Sequence, residues 1–503
     1  FLSSIPALGA PGGVSVTVLP LKNLSDNRQQ EFFSDGQTDA IATALANVKG
    51  LTVVGQNSVY ALKSQTQDPN AIGHALNVDY IIQGSVRWSD NQVSVTANLV
   101  KVGDNAYLWA HSYNRELDNV LNTQEEIAQD IANSVRNPLG LASGPAKAIA
   151  AGNPSEQAPP VNNQTALDYL RAKALLRSRA SREPGGPLTK AATLLEDVVA
   201  RDPNFAPAWA LLAAVYGFVA TYHALYFSGT SSELKTVFDL WIPKAEKAAK
   251  AAMALSPNNA AANTFTGLVR NFRCKFALAE DSYKKALQLE PNNTDALHLY
   301  SLMLLCVGRV KEATRLRARL HELEPFVLVY NAFNVNAFWL NRDDRAALKI
   351  LRTVMAQGAS NPFVARQTAL IYGVEGKHQE AAEAVRKASR SYDTTLVDTA
   401  AKFMAGNWSA PPDAPSLGFF DLLYVFSESP DLALGFFETN LKAGMWSATE
   451  AVHFWHPSNK FSALRDTQRF KSLMRSAGVV DYWRERGWPD DLCRAAGAGF
   501  ACD

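Results

Sequence analysis

The chain lacks most of the features that would assign it a chemistry. It has no apolar run of about 18 residues, the length a bilayer-spanning helix needs. It has no excess of either charge: 49 Lys+Arg against 48 Asp+Glu leave +1 over 503 residues. That balance argues against a nucleic-acid partner held by phosphate neutralisation. Cysteine is scarce, with Cys274, Cys306, Cys493 and Cys502 and no Cys-x-x-Cys pair. Zinc would need more ligands than these offer. There is no Gly-x-x-x-x-Gly-Lys phosphate loop and no Gly-x-Ser-x-Gly nucleophile elbow. The eight histidines form no catalytic constellation. No nucleophile–base pair, metal set or cofactor loop can be assembled, so the chain as given reads as non-enzymatic, without cofactor. His453-Phe-Trp-His456 has a metal-like spacing, but no cysteine stands near it and Pro457 follows directly. It reads as an aromatic packing cluster. Gly9 to Gly13 precede a strand rather than follow one, so they do not form a dinucleotide loop.

What is present is an ordinary globular composition, 47% hydrophobic and 19% charged, which excludes wholesale disorder. The charge is unevenly spread. Residues 1–140 carry 8 Lys+Arg and 13 Asp+Glu, a net of −5; the remainder carries 41 and 35, a net of +6. Two parts of opposite sign could attract each other.

Residues 14–21 alternate and are rich in β-branched side chains, as in a strand. Asp35-Gly36 reads as a turn, with Thr38 or Asp39 capping a helix that carries Ile41, Ala42, Leu45 and Ala46 on one face. Leu51–Val54 is a second strand. Tyr80–Arg87 and Gln92–Lys101 form a hairpin through Ser89-Asp90-Asn91, Ala106–Asn114 extends the meander, and Thr123–Val135 is an amphipathic helix. The order predicts one α/β domain over 1–136. Residues 137–165, with Asn137-Pro138-Leu139-Gly140 and Ala158-Pro159-Pro160, read as a linker.

Beyond it the strand signals stop. Prolines recur at Pro203, Pro257, Pro291, Pro325 and Pro362, at spacings of 54, 34, 34 and 37. A 34-residue period with a helix-stopping proline is the tetratricopeptide signature. The repeat starting at Ala260 fits best. Gly267 and Ala279 stand where paired helices approach, Tyr283 and Ala286 fill between repeats, and Pro291 stops the second helix. The spacing of 54 leaves about 20 extra residues near His223–Leu234, as a loop or as longer helices. The fold class is therefore an α/β N-terminal domain plus an all-α tetratricopeptide-repeat solenoid. Its expected parts are 1–136, a linker 137–165, repeats 166–406 and a helical cap and tail 407–503.

Residues 14–117 resemble the TolB N-terminal-like (FlgO-like) domain. The matching segments are Val16 to Ser25, Phe32 to Thr38, Val78 to Arg87 and Leu108 to Leu117. Followed by tetratricopeptide repeats, the whole resembles the C-terminal half of proteobacterial signalling proteins. In those, a cytoplasmic winged-helix or class III adenylate cyclase domain and one membrane helix precede this module. The resemblance implies a periplasmic or extracytoplasmic sensor or interaction module that binds a protein or peptide. Its alternatives are the detached regulatory ectodomain of such a cyclase or regulator, and an accessory subunit of a periplasmic enzyme assembly. Phe1 in place of Met fits a processed or truncated product, with a membrane anchor upstream. The oligomeric state is not legible.

In tetratricopeptide arrays the first helices line a concave groove. The family's groove positions fall here on Asn271, Phe272, His298, Leu302, Asn336, Trp339 and Arg366. The amides and the guanidinium could bond a peptide backbone or carboxylate, or the chain's own tail could fill the groove. Cys493 and Cys502, in a Gly/Ala-rich tail, would gain from a crosslink in an oxidising compartment. Cys274 and Cys306 fall near the same end of neighbouring first helices, either bridged or as buried free thiols.

Overall fold

A computed structural model describes residues 13–25, 30–63, 68–89, 91–141, 161–177, 186–223, 230–358, 361–390, 393–406, 410, 413–444, 446, 451–489, 492–497 and 499–502. Phe1, Gly9 to Gly12, Asp90, most of the expected linker and Pro411-Pro412 lie outside the described residues. The chain divides into two compact units. The first holds residues 1–218, 247–262 and 319–327, and the second holds 219–246, 263–318 and 328–503.

The first unit contains a sheet. Its strands are β1 (Val14–Val18), β2 (Lys22–Asn23), β3 (Leu51–Val53), β4 (Tyr80–Ser89), β5 (Gln92–Lys101) and β6 (Tyr107–Glu116). The order is β3-β1-β4-β5-β6, with β2 also on β4. β1 runs parallel to β3 and β4, whereas β4, β5 and β6 form an antiparallel meander. Alternation decides which way each side chain points. Val93, Val95, Ala97 and Leu99 of β5 are buried, and the intervening Ser94, Thr96 and Asn98 are half-exposed. The apolar face meets α1 (Glu31–Ala46) and α4 (Val120–Ser134), which buries Ile127 and Ile131. On the other face α2 (Ser58–Lys63) and α3 (Pro69–Leu76) close a smaller core of Leu19, Val54, Val59, Leu62, Ile72, Leu76, Val78 and Ile81.

Helix α1 begins earlier than the sequence implies. Asp35, Gly36, Thr38 and Asp39 lie inside it, so neither Thr38 nor Asp39 caps its start. Thr38 Oγ1 instead donates to Ser34 O (2.8 Å) and accepts from Leu21 N (3.0 Å). Gly36 is tolerated in mid-helix because the space of a side chain is taken: an added Cβ would stand 2.9 Å from Leu170 Cδ2. Leu170 belongs to α5 (Asn163–Arg177), which packs on α1. The first unit therefore continues past the expected boundary at 136. It takes in α5, α6 (Pro187–Arg201) and most of α7 (Ala206–Tyr222).

Helix pairs follow. They are Ala260–Phe272 with Phe276–Leu289, Thr294–Cys306 with Val310–Leu323, Leu328–Leu340 with Asp344–Gly358, and Pro362–Val374 with His378–Arg386. The recurring Pro-Asn-Asn explains the joints. Proline stops one helix, and the second asparagine caps the next: Asn259 Oδ1 accepts from Ala262 N and Asn293 Oδ1 from Ala296 N, both 2.9 Å. The extra residues before Pro257 are accommodated by a 25-residue helix, Ser231–Leu255, which carries Pro243 inside it.

In the second unit the segment after residue 410 is short helices and 3₁₀ turns: Gly418–Phe426, Pro430–Leu434, Gly435–Lys442, Val452–Trp455, Asn459–Asp466, Gln468–Ser476 and Val479–Arg486. A final hairpin, β7 (Cys493–Ala496) and β8 (Gly499–Cys502), is bridged by Cys493–Cys502. Cys274 and Cys306 form no disulfide, which corrects the bridged alternative for that pair. The Cys306 thiol is buried and accepts from Trp446 Nε1.

Gly267 tests the repeat packing. A Cβ there would stand 2.6 Å from the Tyr283 ring. Alanine helps an isolated helix by about 0.5–1 kcal/mol, but here the overlap outweighs that gain. Gly267→Ala is expected to lower stability by about 2 kcal/mol in denaturant unfolding of the full chain.

Candidate functional site

The seven groove residues converge, but they do not face solvent. Asn271, Phe272, His298, Leu302, Asn336, Trp339 and Arg366 are all buried. The reason is the segment after 410, which lies against three of them. Trp446 N donates to Phe272 O (3.3 Å). His456 stacks on Trp339 with ring centres 3.9 Å apart. Arg366 lies over the Phe419 ring at 3.7 Å and donates from Nη1 to Phe419 O (2.9 Å). Two more polar groups bond inside the array, His298 to the second helix of its own repeat and Asn336 to the next repeat. Arg317 donates to His298 Nδ1 and His298 O, each at 3.1 Å. An arginine can only donate, so His298 carries its proton on Nε2. Gln367 Nε2 donates to Asn336 Oδ1 and Ala332 O. As an open peptide groove, the assignment of these residues is therefore corrected: burial leaves them no surface to offer in this state.

Magnitudes show whether the tail is a removable plug. Phe419, Phe420, Leu422, Leu423, Phe437, Phe454 and Trp455 are all 0% exposed. At about 1.5–3 kcal/mol each, their burial is on the order of 10–20 kcal/mol. A peptide would have to replace this core to enter, so the tail is part of the fold.

The C-terminal end of the helix Thr294–Cys306 is finished by the same segment. Trp455 Nε1 donates to Cys306 O (3.1 Å) and Trp483 Nε1 to Val307 O (2.7 Å). These indoles satisfy carbonyls that a helix C-terminus otherwise leaves free. Burial and the nearby Arg465 and Arg342 push the His456 imidazole down to about 3, so it is neutral and stacks as an aromatic ring. Its role is packing, in keeping with the cluster reading. Among the described residues no group of three metal-ligating side chains exists. Also among them, no helix is long and apolar enough to cross a membrane.

Two polar clusters in the first unit escape sequence reasoning, because their members are far apart in the chain. In one, Arg177 of α5 pairs with Asp35 (3.1 Å) and with Asp39 of α1, and Lys173 pairs with Asp39 (3.0 Å). The Arg177 guanidinium lies 4.8 Å from the Tyr60 ring centre. Burial dominates Asp35 and holds its carboxyl above the ordinary range despite Arg177. In the other, the buried Glu324 carboxylate accepts from Asn57 N (2.8 Å), Asn57 Nδ2 (3.0 Å), Ser58 N and Ser58 Oγ (both 2.8 Å). Its signal in the sequence is only the Glu-Pro at the end of a repeat.

The fold defines a class: an α/β unit joined to tetratricopeptide-type helical repeats. Within that class, no family model matches this chain. Over 138 residues, 27% of the chain, it is 34% identical to a protein named putative adenylate cyclase 3 of Rhizobium meliloti (strain 1021). The match spans 24% of that protein, so the chain covers about a quarter of its curated relative. Similar solved structures include Pseudomonas aeruginosa pilF, 16% identical, covering 48% of this chain and 97% of that one, TM-score 0.35. A thermophilic repeat protein of Thermus thermophilus is 19% identical, covering 43% and 94%, TM-score 0.28. The human IFIT1 dimer is 14% identical, covering 73% and 77%, TM-score 0.39.

Arg366→Ala removes the hydrogen bond to Phe419 O and leaves a void beneath the ring. It is expected to lower stability by about 3 kcal/mol, read by urea unfolding. A protein of unchanged stability would contradict the structural role of Arg366. Glu324 gives a pH signature. Burial outweighs its four hydrogen bonds and pushes the carboxyl up to about 7 from an ordinary 4.5. A raised folded value favours the protonated native state. The stability this contributes is full below 4.5 and is lost as pH rises through about 7. Glu324→Gln cannot ionise, so its unfolding free energy is expected to fall less than the wild type's between pH 5 and 8.

Proposed function

We propose that this chain is a non-catalytic, extracytoplasmic interaction module of a signalling protein. Its α/β unit senses or docks, and its closed repeat unit is a rigid protein-binding support. The observation that carries the reading is the closure of the repeat unit by its own tail. A body whose inner face is filled by about 10–20 kcal/mol of buried side chains binds through its outer surfaces without rearranging, the behaviour of preformed interfaces. Two further observations support it. The Cys493–Cys502 bridge suits an oxidising compartment outside the cytoplasm. The TolB N-terminal-like resemblance of residues 14–117 belongs with such modules.

A second reading is favoured by the likeness to putative adenylate cyclase 3: the chain would be the regulatory ectodomain of a longer cyclase. A native polypeptide much larger than 54.8 kDa with cyclase activity supports that version. A native polypeptide of this mass opposes it.

Proximity labelling in the native host, with the chain at its natural level, tests the interaction role. The expected result is labelled envelope or signalling proteins, together with thiol counting under denaturing conditions that finds two free cysteines. Cytoplasmic neighbours alone, with four free thiols, would contradict the proposal.

A further inference from the structure

Strand β6 ends the sheet, and its outer edge is unpaired among the described strands. Tyr107 and Leu108 are 64% and 40% exposed, and Ala110, His111, Ser112, Asn114 and Glu116 are exposed as well. Bare edges of this length invite another strand, and soluble proteins blunt them with lysine, proline or a covering segment. Residues 107–116 contain no lysine and no proline. The single internal cation, Arg115, is turned to Asp130 of α4 at 2.7 Å.

The hydrogen-bond phase of β6 is fixed by its pairing with β5. Leu117 N donates to Asn91 O (2.8 Å) around the opposed pair Gln92 and Glu116. Glu116 is thus in a non-hydrogen-bonded position, and Arg115 and Tyr113 bond inward. Ala110, Ser112, Asn114 and Glu116 then aim their main-chain N–H and C=O groups outward.

We propose that this edge pairs with the same edge of a second copy of the chain, antiparallel, about a two-fold axis at Ser112. Ser112 is the midpoint of Leu108–Glu116, so this register uses the exposed edge from Leu108 onward and leaves out Tyr107, which lies past the register shift at Leu99/Val100. It is also complementary to itself. Each Arg115 falls opposite the partner's Trp109, a cation over an aromatic face. His111 falls opposite the partner's Tyr113, and Glu116 opposite the partner's Leu108, so no like charges oppose. The two sheets become one, with both edges removed at the seam. The dimer follows from the edge alone and does not require the signalling role.

Sedimentation velocity of the full chain over a hundredfold concentration range tests it, with two variants. Ser112→Pro removes an outward N–H and leaves the inward ladder, because proline is accepted on edges. Ser112→Cys places two thiols in a hydrogen-bonded pair, about 5.5 Å between Cα atoms, within disulfide reach. The expected result is a wild-type dimer, at least a tenfold weaker dimer for Ser112→Pro, and a covalent dimer of Ser112→Cys on mild oxidation. Asn114→Cys, which faces Ala110 across the seam, should not crosslink. A wild type that is monomeric throughout overturns the proposal, including the case where the edge serves a foreign strand. So does a dimer that Ser112→Cys fails to trap. If Ser112→Pro does not fold, the cysteine pair still decides.

Discussion

The second unit depends on one constraint: repeat helices expose an apolar inner face and unsatisfied carbonyl ends, and both must be covered. Terminal repeats of a solenoid have no neighbour to bury them. This chain meets the need with its own C-terminal segment. Indole N–H groups of Trp455 and Trp483 reach the carbonyls of Cys306 and Val307, and Trp446 reaches the Cys306 sulfur. Arg366 and Trp339 anchor Phe419 and His456. The tail's helices and 3₁₀ turns are short, four to nine residues each, so it is held largely by what it covers.

The first unit is governed by a different pairing. Acidic α1 and basic α5 meet through Asp35, Asp39, Lys173 and Arg177. The opposite charges of the two parts of the sequence are thus partly used inside one compact unit. The ion pairs alone would contribute little at a surface. Here Gly36 also lets Leu170 approach, so charge and packing act at the same contact.

Much of this architecture is legible in the sequence, for physical reasons. Two-residue alternation gives β1, β4, β5 and β6, and a 34-residue proline period gives the helix pairs. Gly267 and Tyr283 mark one close approach. The start of α1 is misread because Asp-Gly is a turn signal locally, while the helix is set by the partner that fills the space at Gly36. The groove residues are located correctly on the first helices, yet their accessibility is not. Whether a concave face is open depends on side chains more than a hundred residues away, such as Trp446 against Phe272, and periodicity carries no record of them. Glu324 is invisible for the same reason, because its four donors lie some 270 residues upstream.

The central claim is that the tail is a permanent part of the repeat unit. The Cys306 thiol measures it directly, because it is buried beneath Trp446. Alkylation of Cys306 should be as slow as global unfolding, and should rise only with denaturant concentrations that unfold the chain. Rapid labelling of Cys306 in a chain that keeps its native circular dichroism would show the tail opening on its own, and would contradict the account.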